Sequence, residues 1–289
     1  MDIHFVGIIG AGVMGSGLAQ SLAQTGHEVC LIDNSQKALE KVSVQFEKGV
    51  RLGMMFDETL NVEHPTDLLQ KVTFSDNYQI LAGVDYVIET VTEKWEIKKA
   101  VFTILDDLCA PACVLASNTS AIPITKLGSI TQRPDKVIGL HFMNPVQLKA
   151  TVEMIRGERT SEETIEITKE MLTQMKKDWI LVNDSPGFVS NRVLMLTLNE
   201  AIYLVQEEVA SVNDIDQVFK SCLSYKMGPL ETSDLIGLDT ILLSLEVLRT
   251  NFKDDKYRPC PLLEKMVAEG NCGRKSGRGF YHYPELSPH

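Results

Sequence analysis

Six residues near the N-terminus restrict the architecture of this 289-residue chain more than any others. Gly10-Ala11-Gly12-Val13-Met14-Gly15 fits G-x-G-x-x-G, a pattern that is weak when it stands alone. Here it follows an apolar strand candidate, Ile3–Gly10, and opens a helix candidate, Met14–Gln24, rich in small residues. A second strand candidate, Glu28–Asp33, then ends in an acid 18 residues after Gly15. That order is the one dinucleotide binding requires. Gly10 permits the tight turn, Gly12 lets the backbone approach a pyrophosphate, and Gly15 lets helix and strand pack closely. Val13 and Met14 begin the helix, whose free N–H groups and positive dipole end face the pyrophosphate. The Asp33 carboxylate suits the adenosine ribose hydroxyls and repels a 2′-phosphate, and no arginine follows in Asn34-Ser35-Gln36. The expected cofactor is therefore NAD rather than NADP. The plainer alternative is a structural glycine turn with a capping acid.

The rest of the first half continues the alternation. Strand candidates are Val72–Ser75, Tyr86–Glu89, Val114–Ser117, Val137–Phe142, Val152–Ile155 and Trp179–Val182. Helical stretches at Gln36–Arg51, Lys94–Leu108 and Ser161–Met175 lie between them. This spacing predicts βαβ units and a Rossmann-type, doubly wound α/β sheet. After Ser185-Pro186-Gly187 the pattern becomes helical. Phe188–Glu208 is apolar on nearly all faces, which predicts burial on most of them and a possible subunit interface. Further helices are expected at Val212–Ser224, Leu230–Asn251 and Leu262–Glu269, with a basic, glycine-rich loop from Gly270. Two domains follow, residues 1–185 for the cofactor and 186–289 as a smaller all-α domain for substrate and dimer contacts.

Composition removes several classes. The formal charge is −11, which repels nucleic acid unless a basic patch offsets it. No run approaches the roughly 20 apolar residues needed to span a bilayer. Ile3–Met14 lacks a basic leader and is cut by three glycines, so it does not read as a signal peptide. Six cysteines without a CxxC or a histidine pairing predict reduced thiols in a cytoplasmic protein and no metal. Cys109 and Cys113, placed on one helix face, read as small buried residues.

The chemistry is expected past the C-terminal strand ends, where doubly wound sheets bind ligands. Ser117-Asn118-Thr119-Ser120 follows one strand, and His141 ends another within Gly139–Pro145. Glu153 comes twelve residues later. Hydride transfer from an alcohol needs a base for the hydroxyl proton, and imidazole titrates in the right range. A carboxylate behind it fixes the tautomer and stabilises the imidazolium. A histidine in an apolar strand is by itself more often a packing residue; its place at the dinucleotide edge reverses that weighting. The other histidines (His4, His27, His64, His282, His289) read as surface or packing residues.

These motifs resemble the 3-hydroxyacyl-CoA dehydrogenases, including the bacterial 3-hydroxybutyryl-CoA enzymes of fatty acid metabolism. The resemblance takes in Gly10–Gly15, Val87–Glu89 leading to Glu93, Ser117–Ser120, Gly139–Pro145 and Ser185–Arg192. It continues through Met227–Glu231, Asp234–Asp239 and Gly277–Tyr281. It implies an NAD-dependent oxidoreductase with His141 as general base, Glu153 as its partner, and Ser120 and Asn191 on the substrate hydroxyl and carbonyl. It also implies that Glu93, Lys98 and Asn118 contact the nicotinamide ribose region; the apolar helix Phe188–Glu208 makes a homodimer the expectation. Enzymes of small free hydroxy acids use a catalytic lysine, and no lysine here lies in such a motif.

Two departures bear on the acyl carrier. Leu52–Gln70 contains no Lys or Arg where relatives hold coenzyme A phosphates, and it carries Asp57, Glu58, Glu63 and Asp67. A stripe of Lys37, Lys41, Lys48 and Arg51 could compensate, or could be a solvated helix face. In Val146–Glu153, Lys149 is displaced and Thr151 replaces an apolar residue. Two alternatives therefore stay open beside coenzyme A. One is a short hydroxyacyl group on acyl carrier protein in polyketide or peptide antibiotic pathways. The other is a non-catalytic dinucleotide-binding structural or sensor protein.

Overall fold

The computed structural model describes residues 3–42, 44, 46, 50 and 65–283. The chain forms two compact units, Met1–Asp184 and Ser185–His289. The first holds one sheet of eight strands: β1 (Phe5–Ile9), β2 (Glu28–Ile32), β3 (Val72–Ser75), β4 (Tyr86–Glu89), β5 (Val114–Ser117), β6 (Val137–His141), β7 (Thr151–Arg156) and β8 (Asp178–Asn183). Their order is β3-β2-β1-β4-β5-β6-β7-β8. The sequence of strands reverses direction between β1 and β4, which opens a crevice at their carboxyl ends. β4, β5 and β6 are buried at every position, as parallel strands covered on both faces must be.

Among the described residues this unit carries the helices α1 (Val13–Gln24), α2 (Pro65–Leu69), α3 (Trp95–Leu108), α4 (Ile124–Gly128) and α5 (Glu162–Gln174); residues 36–42 are also helical. α5 shows why such segments fold where they do. The Ser161 side chain accepts from Thr164 N–H, satisfying one of the free amides of the first turn. Glu162 and Glu163 complement the positive end of the dipole. Thr164, Ile165, Thr168, Met171 and Leu172 recur at helical spacing and are buried. From that face Thr168 hydroxyl bonds the Tyr86 hydroxyl of β4 at 3.0 Å.

The sheet departs from the expected parallel pattern at one place. β7 runs antiparallel to β6, and β8 then pairs parallel with β7. The chain between Phe142 and Ala150 is too short for a helical crossover, so the strand turns back. That reversal sets His141 directly opposite Glu153.

Cys109 and Cys113 are buried as expected but do not share a helix face. Cys109 caps the end of α3, and Cys113 lies beyond it, before β5. Arg133 fills that helix end, donating to the carbonyls of Asp106, Cys109 and Ala110 and to the Asp106 carboxylate. Lys37 and Lys41 are exposed. Lys48, Arg51, Asp57, Glu58, Glu63, His64 and His289 lie outside the described residues.

The second unit is helical, with α6 (Ser190–Gln206), α7 (Val212–Gln217), α8 (Pro229–Ile236), α9 (Leu238–Phe252) and α10 (Pro261–Ala268) around a core that includes Leu198, Ile202, Leu245 and Tyr257. Two expectations are corrected. Leu230–Asn251 is not one helix: Gly237, at φ +101, ends α8 and starts α9 in a conformation that a side chain resists. α6 is buried along one face, through Met195, Leu198, Asn199, Ala201 and Ile202, whereas Val193 is 62% exposed. Apolar character all round therefore did not mean burial all round within one chain. The basic tail does fold back. Asp234 accepts Phe280 N–H, Tyr281 N–H and the Tyr283 hydroxyl. Asp216 accepts Leu230 N–H, Glu231 N–H and the Tyr281 hydroxyl.

Candidate active site

The glycine loop forms a cradle at the end of β1. Gly10 sits at φ +104 and donates to Ile32 carbonyl at 2.7 Å. The Thr90 hydroxyl, just past β4, donates to the carbonyls of Ile9 and Gly10 and fixes the turn from the other side. A Cβ on Gly15 would collide with the Gly10 carbonyl, so the third glycine is there for close packing. Nothing stands within 4 Å of a Cβ built on Gly12. No side chain caps the first turn of α1, and Val13 is 72% exposed. Those features leave amide donors facing open space, which fits a pyrophosphate. Met14 is half-buried behind them.

Asp33 lies where a ribose-reading acid should. One carboxylate oxygen accepts Ala11 N–H at 2.7 Å and the other accepts Ser35 N–H at 2.8 Å, so its orientation is fixed by the glycine loop and the next turn. A cavity of about 370 Å³ joins Gly10, Gly12, Asp33, Tyr78, Thr90 and Val91. Loop, acid and cavity together suit a dinucleotide.

The proton-handling groups form a chain. His141 Nδ1 lies 3.0 Å from Glu153 Oε2, and His141 Nε2 lies 3.1 Å from Ser120 Oγ. The His141 side chain is 7% exposed and that of Glu153 9%. A carboxylate can only accept, so Nδ1 carries the hydrogen and Nε2 presents its lone pair to the serine hydroxyl. Cross-strand pairing thus holds a base, its orienting acid and a hydroxyl in line.

Glu93 anchors the serine. Its Oε1 accepts the Thr119 hydroxyl and the N–H groups of Ser120, Ala121 and Ile122. Asn118 accepts Phe142 N–H at 2.9 Å, tying the β5 turn to the residue after His141. Lys98 is fully buried. Its ammonium group reaches Glu89 at 2.7 and 3.0 Å, the Val91 carbonyl at 3.3 Å and Glu93 at 3.4 Å. It therefore stands behind Glu93 rather than in the open crevice. Asn191 is on the first turn of α6, in the second unit.

The residues match two family models. Residues 5–185 match the 3-hydroxyacyl-CoA dehydrogenase NAD binding domain, and residues 187–283 match the C-terminal domain of the same family. The chain belongs to the 3-hydroxyacyl-CoA dehydrogenase family. It is 46% identical over 277 residues, 96% of this chain and 99% of the relative, to a Deinococcus radiodurans protein named "Probable 3-hydroxybutyryl-CoA dehydrogenase". It is 42% identical to the 3-hydroxybutyryl-CoA dehydrogenase of Clostridioides difficile over 96% of this chain and 98% of that one. The crystal structure of (S)-3-hydroxybutyryl-CoA dehydrogenase from Ralstonia eutropha superposes with a TM-score of 0.90 at 40% identity. It covers 98% of this chain and all of the other. The protein is thus an NAD-dependent oxidoreductase of 3-hydroxyacyl thioesters. The relatives' names favour coenzyme A over a carrier-protein tether, and they leave no support for a non-catalytic binding protein.

Two residues that support this dehydrogenase site were not singled out by the sequence. Glu89, fully buried at the end of β4, accepts Lys98, Ser117 hydroxyl and Val91 N–H. Burial pushes its carboxyl up, against the pull of Lys98 and Ser117. An acid closing an apolar strand, with a lysine nine residues later, was the available signal. Lys177 is buried and donates to the carbonyls of Val146 and Lys149, pinning the segment between His141 and Glu153. Burial lowers its ammonium group. Nothing in its local pattern marks it.

Proposed function

We propose that the chain interconverts short 3-hydroxyacyl-CoA and 3-oxoacyl-CoA thioesters, 3-hydroxybutyryl-CoA foremost. The observation that carries this reading is the Glu153–His141–Ser120 hydrogen-bond chain at the sheet edge that also carries the glycine loop. Gly10, Gly12, Val13, Met14, Gly15 and Asp33 would hold NAD, which when bound would supply the hydride acceptor or donor. In the oxidation, His141 Nε2 takes the proton of the substrate hydroxyl as the C–H bond breaks. Glu153 holds Nδ1–H and balances the charge that develops on the ring. Ser120 hydrogen-bonds the substrate oxygen, and the role assigned to Asn191 is a bond to the thioester carbonyl. Glu93 holds the Ser120 turn, while Lys98 and Asn118 order the groups around the nicotinamide ribose.

The reading also includes a cytoplasmic setting and a homodimer. All six cysteines are free thiols, and no described helix is long and apolar enough to cross a membrane. Val189 just before α6 and Val193 on it, with Leu223 and Tyr225 beyond α7, leave apolar surface exposed in the single chain.

The test is NADH consumption at 340 nm with a four-carbon 3-oxoacyl-CoA. The His141→Ala variant should lose about 10³-fold in kcat while NADH affinity stays within a factor of about two. Absence of turnover on any 3-oxoacyl-CoA, or full activity in the alanine variant, refutes the reading.

A further inference from the structure

Tyr78 belongs to the cofactor cavity yet has no place in the motifs that define it. It lies three residues past the end of β3, and its backbone is set by a tight turn in which Asn77 accepts Gln79 N–H at 2.9 Å. Its side chain is half-buried and lines the cavity that holds Gly12 and Asp33. Ile97 and Val101, from α3, line the same space. A neutral aromatic ring and branched aliphatic side chains thus share the cavity beyond the ribose-reading acid. Burial, reinforced by the charges of Asp33 and Glu89, pushes the Tyr78 phenol up, which favours the neutral ring. Flat bases bind by stacking on aromatic faces, and their polar edges contribute less to affinity in such slots.

We propose that Tyr78 is the adenine-stacking residue of the NAD site, its ring forming one wall of a slot completed by Ile97 and Val101. The proposal rests on the cofactor placement against Gly10–Gly15 and Asp33 given above. It makes the far end of the cofactor, remote from the hydride, a source of binding energy contributed by one ring.

Three variants test it by fluorescence titration with NADH and by steady-state kinetics. Tyr78→Ala should raise the NADH Kd about tenfold, about 1.4 kcal/mol. Tyr78→Phe keeps the ring and should stay within about twofold of the parent. The ratio of kcat/KM for NADH to that for reduced nicotinamide mononucleotide, which lacks the adenylate, should fall about tenfold in Tyr78→Ala. An unchanged ratio overturns the assignment, because damage to the fold would affect both cofactors alike. Equal loss in Tyr78→Phe and Tyr78→Ala also overturns it, by transferring the effect to the hydroxyl. Asp33→Ala separates the two levels. If it leaves NADH affinity unchanged, the cofactor placement itself fails; if it weakens binding while Tyr78→Ala does not, only the stacking assignment fails.

Discussion

The two units bury acids in different ways. In the first, Glu89 is fully buried against a buried cation, Lys98, and the half-buried Glu153 pairs with the imidazole of His141. In the second, Asp216 and Asp234 are equally buried, but their partners are N–H groups and tyrosine hydroxyls. A carboxylate paired with a titratable or cationic side chain can exchange charge or hold a base in place. One enclosed in the fold and satisfied by backbone amides and tyrosine hydroxyls acts as a staple, fixing the loop that donates them. The contrast separates a unit that positions reacting groups from one whose tail, Gly273 to Tyr283, is tied to α7 and α8.

The largest effect expected from this contrast concerns Glu89. Glu89→Gln leaves the Lys98 ammonium buried without its closest anion and should cost about 3–5 kcal/mol in denaturant unfolding. Adding Lys98→Met to that variant should recover much of the loss, because the orphaned charge is then gone. If Glu89→Gln alone is neutral, the pair is not charge-compensated in the way described. A smaller effect is expected one layer closer to the chemistry. Glu153→Gln can still accept from His141 Nδ1–H, so the ring stays in place while the developing imidazolium loses its counter-charge. We expect kcat to fall about 100-fold, with NADH affinity unchanged in titration. A loss shared equally between kcat and cofactor affinity would show that Glu153, like Asp234, acts as a staple.

Most of the first unit was legible in the sequence because its signals are local. A glycine loop, an acid at a strand end and a periodicity that switches between strand and helix are each contained in a few residues. His141 and Ser120 were legible for the same reason: one closes β6, the other lies just past β5, and the crevice is at strand ends. Glu153, inside β7, was legible only as an acid within reach of that histidine. Two kinds of feature were not. The reversal at β7, which brings His141 and Glu153 face to face, depends on connection length and pairing rather than composition. Lys177 acts through main-chain carbonyls 28 and 31 residues away, a distance that no short pattern spans. In the helical unit the apolar surplus of α6 misled, because hydrophobic pattern alone does not fix which faces of a helix the chain itself buries. The break at Gly237 was hidden by good helix formers on both sides. There, the backbone geometry of one residue outweighed the propensity of its neighbours.

The smallest predicted effect tests the staple directly. Asp234→Asn removes an acceptor from the set that holds Phe280, Tyr281 and Tyr283, and should destabilise the helical unit by about 2 kcal/mol in acid. Its pH dependence distinguishes a staple from a charge pair. Burial pushes the Asp234 carboxyl above its ordinary value, in spite of the donors from Tyr281, Phe280 and Tyr283. A raised acid binds its proton more tightly in the folded state than in the unfolded one. Its contribution is therefore fully present below the unfolded value, 3.8, and is lost as pH rises through the raised folded value. The asparagine variant has no such titration. The stability gap between parent and variant should thus be widest near pH 4 and narrow towards neutrality, as read by denaturant midpoints across that range. A gap that widens with pH would mean that the ionised carboxylate is the favoured buried form. Asp234 would then be compensated much as Glu89 is, and the distinction between the two units would lose its basis.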